Sequence, residues 1–112
     1  MNEFNNSIII YQPNTDQPAI DVRIEGETVW LSQRQMSVLF DTSSDNVGLH
    51  LKNIYAEGEL LEEATTEDFS VVRQEGTRQV RRSVRHYNLD AIISVGYRVK
   101  SATATQFRIW AT

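Results

Sequence analysis

The chain has 112 residues, a formal charge of −4 and no cysteine, which allows one domain with a modest core and excludes disulfides and thiolate metal sites. Its two histidines, His50 and His86, show no metal-ligand spacing, and its longest apolar runs, such as Ile8-Ile9-Ile10, are far too short to span a bilayer. The opening MNEFNN lacks the basic flank and apolar segment of a secretory signal, so a cytoplasmic protein with a disordered tail over residues 1–6 is expected.

The acidic total hides an asymmetry. Up to Asp68 there are 3 Lys and Arg against 13 Asp and Glu; from Phe69 onward there are 8 against 2. Such a chain can offer a basic face to a polyanion, or its two halves can pair with each other.

In chain order, residues 7–11 (SIIIY) predict a strand, and residues 12–18, which hold both prolines, a loop. Residues 21–25 alternate polar and apolar side chains as a half-buried strand does, Gly26-Glu27 makes a turn, and residues 28–31 form the next strand. Trp30 in that strand is expected in the core or as a packing lid. Ser32 can cap a helix with Gln35 as its capping-box partner, and Met36, Leu39 and Phe40 follow at helical spacing. Asp41-Thr42-Ser43 should stop that helix, because their side chains compete for backbone hydrogen bonds. Ser43 or Ser44 then caps a second helix with Val47, Leu51 and Ile54 as its apolar stripe. Two short amphipathic helices joined by so tight a corner predict a helix-turn-helix, with Ser44, Asp45, Gly48, Leu49, Lys52 and Asn53 off the stripe.

Gly58 is placed to end the second helix, and residues 57–68, with six carboxylates and no basic side chain, read as a solvated loop. They have neither the Asn/Asp/Gly pattern of a calcium loop nor a companion nucleophile for acid–base catalysis. Residues 69–73 and 79–87 predict two strands joined by residues 74–78, where Gly76 can take positive φ. This hairpin carries Arg73, Arg78, Arg81, Arg82 and Arg85 against one acid, Glu75. Guanidinium binds phosphate as a bidentate fork and enters narrow minor grooves, so the hairpin resembles the wing of a winged helix. The plainer alternative is an edge hairpin protected by charge. Asn88 caps a further helix over residues 89–98, with Leu89, Ile92, Ile93 and Tyr97 as its expected buried stripe. Residues 101–112 predict a last helix with Phe107, Trp110 and Ala111 on one side; lacking a stop signal, it reads as part of a longer chain or as a helix that docks on a partner.

Several of these stretches, WLSQRQMSVLF, LHLKNIYAEGEL, YNLDAIISVGYRVKS and TQFRIWAT, resemble the virulence-associated RhuM family of bacteria and phages. The resemblance covers most of residues 8–112 and implies a DNA-binding-like N-terminal module followed by a longer, largely helical part. Similar proteins tend to start the reading helix with a basic or amide residue, where this chain has Ser44-Asp45. They often carry a basic residue and glycine after the position of Lys100, where this chain has Ala102-Thr103-Ala104.

The resulting expectation is a single α+β domain, winged helix-turn-helix-like, that binds duplex DNA as a regulator or as the targeting module of a mobile-element protein. Ser44, Gly48, Lys52 and Asn53 would face the major groove, and Arg73, Arg78, Arg81, Arg82 and Arg85 would meet phosphates or a minor groove. A homodimer would match repeated half-sites. No cofactor, metal, membrane or small-molecule substrate is expected. The alternative is an adaptor or antitoxin-like module whose arginine hairpin grips an acidic protein. An enzyme is disfavoured, since no nucleophile–base set, metal cluster or phosphate-cradling loop is present.

Overall fold

The computed structural model describes residues 7–112; the expected tail over residues 1–6 lies outside the described residues. The fold is α+β. Five strands, β1 (Ser7–Tyr11), β2 (Ile20–Glu25), β3 (Thr28–Ser32), β4 (Thr66–Glu75) and β5 (Arg78–Asn88), form one antiparallel sheet in the order β1-β2-β3-β5-β4. Helices α1 (Gln33–Leu39) and α2 (Ser44–Ala56) fall between β3 and the β4–β5 hairpin. The short α3 (Glu62–Thr65) leads into β4, and α4 (Leu89–Arg98) and α5 (Thr103–Ala111) close the chain.

Alternation along the strands sorts the sheet into two faces. Tyr11, Ile20, Val22, Val29 and Leu31 point to one face and are buried with Met36, Leu39 and Phe40 of the first helix and its corner, Val47, Leu51 and Ile54 of α2, and Phe107 of α5. The other face carries a smaller aromatic stack. Trp30 and His86 both meet Phe69 edge-on, at 5.6 and 5.1 Å between centroids, and the Arg23 guanidinium lies 4.4 Å from the centre of the Phe69 ring. Trp30 is thus a half-buried lid on the helix-free side.

His86 is the buried titratable group of that stack. Its Nδ1 lies 2.9 Å from the Val84 carbonyl, which can only accept, so Nδ1 carries the proton of the neutral ring. Burial holds its pKa below the ordinary value of about 6.5, with the Val84 bond and Asp68 opposing and Arg23 reinforcing. The folded state therefore resists protonation. Its contribution is fully present above about pH 6.5 and is lost as pH falls below that, because the unfolded chain takes the proton first. Urea melts at pH 7 and pH 5 are expected to show a loss of stability on acidification that shrinks in His86→Gln. An equal loss in both proteins would refute the assignment.

The local signals mostly place the elements. Ser32 and Gln35 form the full capping box, Ser43 rather than Ser44 caps α2, and Asn88 caps α4. The corner between α1 and α2 is set by backbone rather than by competing side chains. Asp41 takes φ 54°, and the Asp41 and Thr42 amides donate to the Val38 and Ser37 carbonyls. This is a Schellman closure built on a non-glycine residue.

Four expectations are corrected. Residues 57–68 are not a simple solvated loop: they contain α3 and the first residues of β4, and four of their carboxylates are ion-paired. The hairpin is longer than its apolar pattern, since pairing runs from Thr66↔Tyr87 to Glu75↔Arg78 and leaves only Gly76-Thr77 as the turn. Tyr97 is 85% exposed, and the buried face of α4 is Ala91, Ile92, Val95 and Gly96. Gly96 belongs to that face because Ala104 of α5 crosses it closely, an arrangement no apolar-stripe rule sees. Trp110 is 38% exposed, so only Phe107 of its expected stripe is fully buried.

Candidate nucleic-acid interface

The hairpin arginines do not share one face. Strand alternation puts Arg73, Arg78 and Arg82 on the helix-free side with Phe69 and His86, and Arg81 and Arg85 on the helix side with Tyr87. The register places these side chains along a ribbon that runs past the end of β3, because β3 pairs with β5 only from Trp30↔Asn88 to Ser32↔His86. Beyond Ser32 the ribbon has no strand on its inner side, and it overhangs the rest of the sheet.

Two of the five guanidiniums are engaged by carboxylates. Arg82 makes a bidentate pair with Glu75 at 2.8 and 3.0 Å. Arg85 bonds Glu62 at 2.8 Å and lies 3.5 Å from Asp68. All of these groups are about half exposed, so water screens the pairs and a phosphate can displace them at little cost. Arg81 donates to the Ser70 hydroxyl, at 3.4 Å. Among the described residues, Arg73, Arg78 and Arg81 have no carboxylate oxygen within ion-pair distance.

The open space beside the overhang is the meeting point. A groove of about 330 Å³ is lined by Gln33 and Arg34 of α1, Ser44 of α2, and Arg73, Arg85 and Tyr87 of the hairpin. The start of α2 and the arginine ribbon therefore face one another across a single concavity. Arg34 is exposed there and lies outside the sites expected from sequence, because a lone arginine in a first helical turn gives no signal of its own.

The α2 residues divide. Ser44 lines the groove with the hairpin and Gly48 faces Gln33 of α1, while at about 100° per residue Lys52 points outward beside the exposed Asp45 and Leu49, and Asn53 lies half a turn round from Ser44. Asn53 is half-buried. The space over Gly48 is filled from within the protein. A Cβ there would lie 2.7 Å from Gln33 Nε2, which donates to the Ser44 carbonyl at 2.7 Å. In Gly48→Ala the flexible end of Gln33 must move, while the helix gains about 1 kcal/mol of propensity. Stability is expected to change by less than about 0.5 kcal/mol. Duplex affinity should stay within about twofold, since Gln33 already covers the backbone. A tenfold loss in an anisotropy titration would instead mean that nucleic acid approaches Gly48 directly.

The remaining charge pairs tie the acidic and basic halves together. Arg98 holds Glu57 at 2.8 Å and Glu59 at 2.7 Å, pinning the loop after α2 to the end of α4. Its guanidinium pKa is raised and the Glu59 carboxyl lowered by this contact. Arg98 is consequently a structural clasp, whereas Arg34, Arg73, Arg78 and Arg81 are in no ion pair among the described residues.

Residues 64–112 match the family model described as the Virulence protein RhuM family. The matched segment begins inside α3 and comprises the arginine hairpin and the two closing helices, while α1 and α2 precede it. Comparisons with curated proteins and with solved structures find no match. No helix among the described residues is long and apolar enough to cross a membrane.

Proposed function

We infer that this chain is a duplex-DNA-binding module in which α1 and α2 act as a helix-turn-helix and the β4–β5 hairpin as its wing. The observation that carries this reading is the groove shared by the first residue of α2 and the arginine hairpin, with Arg34, Arg73 and Arg85 on its walls. The element order supports it: a strand enters the helix pair, a hairpin follows, and the second hairpin strand returns to pair with the entering strand. Arginines on both faces of an overhanging ribbon suit a ribbon that enters a groove, because phosphates then flank it on both sides. Ser44 and Lys52 sit where a helix would meet base edges or the near backbone. The reading assigns binding and no catalysis to the chain, and it places the protein among regulators or targeting modules of mobile elements.

The test is fluorescence anisotropy on random duplex across a salt series. Binding at low salt is expected, weakening by about 0.9 log units per phosphate contact for each log unit of salt. Arg34→Ala should lower that slope by about 0.9 and weaken all duplexes alike. A folded chain that binds no duplex at low salt would overturn the reading. The second reading is an adaptor that grips an acidic protein; Arg82 and Arg85 already hold carboxylates at 2.8 Å, the geometry such a partner would reuse. It predicts that an acidic polypeptide outcompetes duplex DNA at equal charge.

A further inference from the structure

The two edges of the sheet are built differently. The β4 edge carries Glu67, Asp68, Arg73 and Glu75, the kind of charge that keeps an edge from pairing with another chain. The β1 edge is SIIIY, with no charge and no proline. Ile8, Ile9 and Ile10 are 56%, 43% and 62% exposed, although β1 already pairs along its whole length with β2. Among the described residues no strand pairs with its outer side, so its outward main-chain donors and acceptors can be met in register by another extended strand.

We propose that β1 pairs antiparallel with β1 of a second copy of this chain, joining two sheets into one of ten strands. The strand is self-complementary about Ile9. A twofold axis there sets Ile9 against its symmetry mate and Ile8 against the mate of Ile10, so no charge meets a like charge. Ile8 and Ile10 of both copies form an apolar cluster on the helix-free face. On the other face Ile9 sits beside Tyr11, whose ring contacts Trp110 at 4.9 Å, and the half-covered Trp110 flanks the same seam. The axis stands perpendicular to the sheet, so the helices of both copies lie on one side. The arginine hairpins lie at opposite ends of the joined sheet, which leaves the candidate interface uncovered.

A sedimentation series up to tens of micromolar chain is expected to show a dimer, and Ile10→Lys, at an exposed position, a monomer with unchanged far-UV circular dichroism. Since the chain has no cysteine, Ile9→Cys provides a second measurement. Across the twofold the two thiols fall near disulfide range and should cross-link at least about tenfold faster than those of Val72→Cys on the β4 edge. A chain that stays monomeric, a dimer that survives Ile10→Lys, or equal cross-linking at both edges would overturn the proposal. The result is separable from the DNA reading: Ile10→Lys should retain the salt-dependent duplex binding of the hairpin, and a dimer without duplex affinity would sink only the other reading.

Discussion

Replacing Arg73, Arg78 and Arg81 together by alanine is expected to weaken binding to random duplex by about a hundredfold at low salt and to reduce the salt slope by about 2.7. These three are chosen because they have no ion-pair partner among the described residues. Their removal takes away positive charge without stranding a carboxylate, so stability should hold. They also sample both sides of the ribbon, Arg81 on the helix side and Arg73 and Arg78 on the other. Arg82→Ala and Arg85→Ala should each cost less affinity, since Glu75, or Glu62 and Asp68, must be released before a phosphate is bound. An unchanged slope in the triple variant, with intact secondary structure, would remove the hairpin from any account of nucleic-acid binding.

Gly96→Ala should destabilise the fold by about 2 kcal/mol and lower the melting temperature by about 10 °C. In an ordinary helix interior the same change would stabilise by about 1 kcal/mol. Here the added Cβ would lie 2.4 Å from the Ala104 Cβ and 3.0 Å from the Phe40 ring. Neither neighbour can swing aside: Ala104 has no rotamer, and Phe40 is buried at the α1 corner. Pairing Gly96→Ala with Ala104→Gly should recover part of the loss by reopening the crossing of α4 and α5. If calorimetry shows Gly96→Ala as stable as the native chain, the close crossing is wrong. Gly48 is the instructive contrast, since the atom that a Cβ would meet there ends a flexible glutamine.

Caps were legible in the sequence because they are local. Ser32 with Gln35, Ser43, and Asn88 each lie within three residues of the amide they satisfy. The arginine hairpin was legible for the same reason: alternation and a glycine turn are short-range signals. Its true length was not, because the polar residues 66–68 give a pattern of solvated chain, and only pairing with Arg85, His86 and Tyr87 makes them a strand. Arg34 shows the same limit at the site. Nothing near it in the chain marks it, yet folding brings it to one groove with Arg73 and Arg85.

The division has one physical origin. Composition, caps, turns and strand alternation fixed the α+β class, the order of elements and the asymmetry of charge, since each depends on residues a few positions apart. Only the tertiary structure decided which arginines are spoken for, that β3 ends early enough to leave the hairpin overhanging, and that small residues line the α4 crossing. Those outcomes depend on which distant side chains compete for the same space or the same countercharge. Arg98 and Arg81 look alike in sequence, yet carboxylates some forty positions upstream pair with the first, while among the described residues the second meets the Ser70 hydroxyl and no carboxylate.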